Sequence, residues 1–168
     1  MVHSRSLNKE GTRKIKYLKL IVYYMSIVAP NAAAFGVEKK IFCYGDSLTA
    51  GTTPGREPHL FPYASPLEQN LKTIDSEMSV MVRWRGLPGW SASEMVNQQD
   101  VDGVGLRHAL SNKGINLAVI LAGTNDLGHV FQSQMDVDRA AGEISKSVTS
   151  LHKVAHKEGV QTLAISIP

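Results

Sequence analysis

Ile41-Phe42-Cys43-Tyr44-Gly45-Asp46-Ser47-Leu48 is an apolar run of strand type that ends in small, turn-forming residues. Short unbroken runs of this kind suit strands buried on both faces of a parallel sheet. Gly45, Asp46 and Ser47 let the backbone turn sharply, so the serine leaves the sheet with its hydroxyl toward a crevice. In an open α/β sheet that crevice, beyond the carboxyl ends of the strands, is where ligands bind. A hydroxyl placed there is a candidate nucleophile if backbone donors and a base converge on it.

Working outward, the chain alternates strand and helix from about residue 40. Ser65-Pro66-Leu67-Glu68 predicts a helix start, with Ser65 as N-cap, Pro66 at the first helical position and Glu68 closing a capping box. Residues 79–85 predict a second strand ended by Gly86 and Pro88-Gly89. Ser91 and Glu94 repeat the capping-box pattern ahead of a short helix, and residues 106–110 predict another. Leu117-Ala118-Val119-Ile120-Leu121 is a third buried strand. Val137, Ala140, Ala141, Ile144, Val148, Leu151 and Ala155 form one apolar stripe, a long helix from Asp136 to about Gly159. Residues 161–167 predict a fourth strand. Strands alternating with helices imply a parallel sheet, and the fold class expected is a three-layer α/β sandwich.

The chain has 168 residues, enough for one domain with a single core. Its net charge of +3 is unevenly distributed: residues 1–40 hold 8 Lys+Arg against 2 acids, and the remainder 10 against 13. The body is mildly acidic and has no basic stripe with interleaved aromatics, so nucleic-acid binding is not expected. Residues 1–38 form a leader ahead of a domain at 39–168. In the leader, basic residues precede the apolar run from Leu20 to Val28, followed by Ala32-Ala33-Ala34. Two readings stand: a signal peptide at 1–34, making the protein secreted, or an extension packed on a cytoplasmic domain. The apolar run is too short for a stable membrane span, which needs about 20 residues. Cys43, the one cysteine, reads as a small buried apolar residue. No His/Cys/carboxylate cluster has metal-ligand spacing, and no cofactor is expected.

Three segments in order, each after an expected strand, resemble the SGNH hydrolases, also called the GDSL esterase/lipase family. They are Gly45-Asp46-Ser47-Leu48-Thr49, Leu87-Pro88-Gly89-Trp90-Ser91 and Gly123-Thr124-Asn125-Asp126. Each motif alone is weak; their order and spacing carry the resemblance, which covers residues 39–168. It implies a parallel flavodoxin-like sheet in the order 2-1-3-4-5, with the first and third strands flanking the switch point. It also implies that Ser47 is the nucleophile and that the N–H groups of Ser47 and Gly89, with the Asn125 amide, form an oxyanion hole. Asp46 and Asp126 then act as supports for the two loops. The implied activity is hydrolysis of acyl or acetyl esters of small substrates through an acyl-enzyme.

The family's fourth block, a C-terminal Asp-x-x-His after a fifth strand, is absent from this sequence, as are that strand and the final helix. The domain is therefore expected to be C-terminally incomplete and its turnover impaired. The alternative is an inactive ligand-binding or interaction module of the same fold. Asp126-Leu127-Gly128-His129 matches Asp-x-x-His in letters only, because Asp126 already belongs to the third block. His129 and His59 are the substitute bases on offer, each otherwise a solvated loop histidine. Residues 163–167 are expected to form an uncovered apolar edge open to pairing with another chain. Arg83 and Arg85, alternating along the second strand, read as charges that protect a sheet edge.

Overall fold

A computed structural model of the chain describes residues 38–53, 59–75, 79–111, 113–133 and 136–165. The leader reading, up to residue 37, and the end of the expected fourth strand at Ser166 and Ile167 lie outside these residues. The described strands are β1 (Lys39–Gly45), β2 (Val80–Gly86), β3 (Leu117–Leu121) and β4 (Gln161–Ala164). They pair in parallel in the order β2-β1-β3-β4. That is the expected flavodoxin-like order over the strands described, with β2 at one edge.

Successive side chains of a strand point to opposite faces, and the core splits accordingly. Phe42, Tyr44, Ala118 and Ile120 pack on one face with Met95, Leu106, Leu110, Leu151 and Val154. These come from helices α3 (Ala92–Asn97), α4 (Leu106–Leu110) and α6 (Val137–Lys157). Ile41, Cys43, Val80, Val82, Leu117 and Val119 face the other way, against Ala64 and Leu71 of α2 (Ala64–Ile74). The sheet is thus the middle of three layers.

Several local expectations are corrected. The helix α2 starts two residues earlier than the capping box implied, with Tyr63 as N-cap and no side-chain cap. Pro66 then sits at the third helical position, where its missing N–H would have had no intrahelical partner anyway. Glu68 does not close a box: its carboxylate takes Lys72 Nζ at 2.6 Å and the Val82 N–H at 2.7 Å on the neighbouring strand. Its carboxyl is held below the usual range by the Lys72 hydrogen bond first and the Val82 N–H second. By contrast, the Ser91/Glu94 box is fully formed, and Asp136 caps α6 through the Arg139 N–H. The stripe on α6 is narrower than expected, because Val137 is 57% exposed while Ala140, Leu151, Val154 and Ala155 are buried.

The segment after β3 is not a loop. It forms α5 (Thr124–Ser133), so His129 is a helical residue. A further turn of helix, α1 (Ser47–Ala50), follows β1 directly.

Candidate active site

Three strand ends are flush. Gly45 is the register partner of both Gly86 and Leu121. Ser47, Gly89 and Asn125 follow those ends within a few residues, on three adjacent parallel strands.

Ser47 opens α1 behind the buried N-cap Asp46, whose Oδ1 accepts the Leu48 N–H at 2.9 Å. Its carbonyl accepts the Thr52 N–H at 3.1 Å, closing the turn. The close fit of this turn to the sheet depends on Gly86: a Cβ there would meet the backbone N of Ala50 at 2.3 Å and its Cα at 2.6 Å. Beneath the turn, Asp46 Oδ2, Thr49 Oγ1 and the Tyr63 hydroxyl are buried without a well-aligned partner. The Tyr63 hydroxyl lies close to Cys43 and Thr49, and its acidity is suppressed by burial first, then by Cys43. Burial likewise pushes the Cys43 thiol up to about 12, so Cys43 is a packing residue.

The second loop is a tight turn in which the Trp90 N–H donates to the Leu87 carbonyl at 3.1 Å. Gly89 at its tip has φ +82, a left-handed conformation suited to glycine, and is exposed. Among the described residues the N–H groups of Ser47 and Gly89 have no acceptor.

The third segment clamps the second. Asn125 Nδ2 donates to the Trp90 carbonyl at 2.8 Å. Asp126 Oδ2 accepts the Ala92 N–H, the first of α3, also at 2.8 Å. A carboxamide carries two N–H donors, so one hydrogen bond to Trp90 orients the amide and leaves a second N–H to donate. The ring of Trp90 is partly buried against the core.

No imidazole among the described residues is hydrogen-bonded to Ser47. His129 is exposed on α5, and its charge is felt at Glu94, whose carboxyl is lowered chiefly by the Ser91 backbone N–H and hydroxyl. His59 is exposed, its ring 6.3 Å from that of Phe61. His108 pairs with Asp102 at 2.8 Å, and His156 meets the Thr162 hydroxyl at 2.9 Å. Within the described residues no group of three His, Cys, Asp or Glu side chains is arranged for a metal, and no helix is long and apolar enough to cross a membrane.

Reading the sequence did not anticipate α5 or the polar group at Thr49 and Tyr63. Asp126 three residues after Gly123 was the available signal for a helix start, countered by Gly128 within it. Nothing local announces Tyr63, which meets Thr49 only through the packing of α2.

No known protein-family model matches the chain, and no curated protein matches it significantly. Solved structures do. AlinE4, an SGNH-hydrolase family esterase, superposes with a TM-score of 0.58 at 17% identity, over 80% of this chain and 61% of that one. The acetyl xylan esterase AlAXEase gives 0.52 at 20% identity, over 74% and 56%. The psychrotrophic esterase EstA from Pseudoalteromonas sp. gives 0.51 at 17% identity, over 77% and 61%. The chain therefore has the SGNH-hydrolase fold, and it spans less than two thirds of the length of these enzymes.

Proposed function

We propose that the chain carries the nucleophile and oxyanion-hole portion of a serine ester hydrolase acting on acyl or acetyl esters. The observation that supports this reading most is the meeting of three strand ends, with the Asn125 amide tethered to the loop that bears Gly89. In the reaction Ser47 Oγ bonds to the ester carbonyl carbon and passes its proton to solvent water, which returns one to the departing alcohol. The carbonyl oxygen takes the negative charge against the Ser47 and Gly89 N–H groups and the free Asn125 N–H. Collapse expels the alcohol, and water then releases the acid from the acyl-serine. Each preorganised donor contributes about 3–4 kcal/mol to such a step. No cofactor takes part.

The proton is the weak link. Among the described residues no imidazole is hydrogen-bonded to Ser47, and a serine hydroxyl without a base is a poor nucleophile. Loss of that base costs several orders of magnitude, and an oxyanion hole with substrate binding retains roughly 10³–10⁴-fold over water. This favours slow turnover, and it also supports the second reading, a binding module of the same fold without catalysis. Hydrolysis of p-nitrophenyl acetate by the chain, by Ser47→Ala and by Asn125→Ala separates the two. The hydrolase reading expects both substitutions to lower the rate, by about 10²–10³-fold for Asn125→Ala. Identical rates in the chain and in Ser47→Ala reject it and leave the binding module. His129→Ala and His59→Ala with undiminished serine-dependent hydrolysis remove those side chains as bases.

A further inference from the structure

A cavity separate from this site lies alongside β2, facing α4. It has a volume of about 800 Å³ and is lined by Lys40, Phe42, Arg83, Arg85, Lys113 and Ile115, with Met81 and Trp84 beside them. Four of its lining residues are cationic and none is acidic. None of the four has an ion-pair partner among the described residues, although ion pairs form elsewhere at Arg107, Lys72 and Arg139.

The cations are arranged over an apolar floor. Arg83 and Arg85 share one face of β2, two residues and so about 7 Å apart. The Arg85 guanidinium stands 6.0 Å over the Phe42 ring and reaches the Gly105 carbonyl at 3.5 Å. Arg83 Nε lies 3.3 Å from Met81 Sδ, which holds its stem along the strand. Lys40 pairs in register with Met81, so it lies four residues, about 13 Å, from the level of Arg85. Between these ends the surface is Phe42, Ala109 and Ile115.

Edge protection accounts for exposed charges on β2, but not for a cavity with an apolar floor. We propose that this groove binds a single-chain anionic amphiphile, its phosphate, sulfate or carboxylate head held by Arg83 and Arg85 and its apolar chain laid over Phe42 and Ile115. Paired guanidiniums match the oxygens of such a head. The volume is that of a small-molecule site. Two other occupants are disfavoured. A segment of the composition of residues 1–37, 6 Lys+Arg against 1 acid, carries the wrong charge for it. A strand added at the β2 edge meets the Val82 N–H already taken by Glu68.

The test is isothermal titration of the full chain with dodecyl phosphate below its micelle concentration. Saturable binding at one site is expected, weakened at least about tenfold in Arg83→Gln/Arg85→Gln, with no comparable binding of dodecyl maltoside or inorganic phosphate. Circular dichroism checks that the double variant is folded. Lys113→Gln, at an exposed position, provides a second variant expected to weaken binding a few-fold. Equal affinity for the neutral maltoside, unchanged affinity in both folded variants, or binding confined to phosphatidylglycerol vesicles would each overturn the proposal. Ser47 takes no part in this site, so the outcome is independent of the hydrolase reading.

Discussion

Replacing Asp126 by alanine removes the acceptor that holds the start of α3 to the start of α5. The bond is short, 2.8 Å, and its donor, the Ala92 N–H, belongs to a residue with no exposed surface. A hydrogen bond to a charged group contributes about 1.5–3 kcal/mol, and a buried donor left without a partner costs about 1–3 kcal/mol. Asp126 is partly exposed, and water reaching the vacated space reduces the loss, so about 2 kcal/mol is expected for Asp126→Ala. For a domain of this size that is about 4–8 °C in Tm. Asp126→Asn retains an acceptor oxygen without the charge and should lose about half as much. Scanning calorimetry at neutral pH measures both. A Tm for Asp126→Ala within about 1 °C of the parent, or equal losses for alanine and asparagine, refutes the clamp. Because the clamp sets where the Gly89 turn sits, any serine-dependent hydrolysis should fall in Asp126→Ala more than in Asp126→Asn.

Gly86→Ala forces a methyl against the Ala50 backbone at 2.3–2.6 Å, so a loss of about 1–3 kcal/mol is expected in urea unfolding; unchanged stability would show that α1 yields freely. Cys43, with its thiol pushed up to about 12 by burial, should react with a disulfide reagent at neutral pH only on unfolding, and rapid labelling of the native chain contradicts that placement. His152 is held below its ordinary value near 6.5 by burial first and by the neighbouring charge of His156 second. Its neutral form is favoured on folding, so its contribution is complete above about 6.5 and is lost as pH falls through the lower folded value. Tm should therefore decline from about pH 7 to pH 5, less steeply in His152→Gln, and parallel profiles would remove His152 as a cause. Below that window Glu68 and Glu94, both held low by hydrogen bonds, lose their contributions as they protonate.

What the sequence disclosed follows the range of the interactions involved. The run at residues 117–121 is apolar without interruption, and the strand there is buried at every position. Ser91 and Glu94 cap their helix with atoms three residues apart, so the pattern and the structure coincide. The pattern at Ser65 and Glu68 is just as good, yet the carboxylate is drawn to Val82, 14 residues away in a strand that exists only in the folded sheet. The same distance hides the site's supports. Asn125 meets Trp90 across 35 residues and Asp126 meets Ala92 across 34; no local pattern encodes either contact.

Those two contacts bear directly on the competing readings. A fold that only presents a crevice has no need to tether a carboxamide to the loop that bears Gly89. Here Asn125 and Asp126, adjacent in sequence, grip residues 90 and 92 with separate side chains, and this fixes the C-terminal flank of the turn carrying Gly89 at two points. Oxyanion stabilisation demands such rigidity, because donors that must reorganise during the reaction lose most of their effect. Ligand binding tolerates more play, since a bound molecule can adjust to its donors. If Asn125→Ala and Asp126→Ala loosen the turn and leave affinity for an acyl ligand intact while abolishing serine-dependent hydrolysis, the clamp serves catalysis. If both lower affinity in proportion and no hydrolysis is seen in the parent, the clamp serves a binding crevice instead.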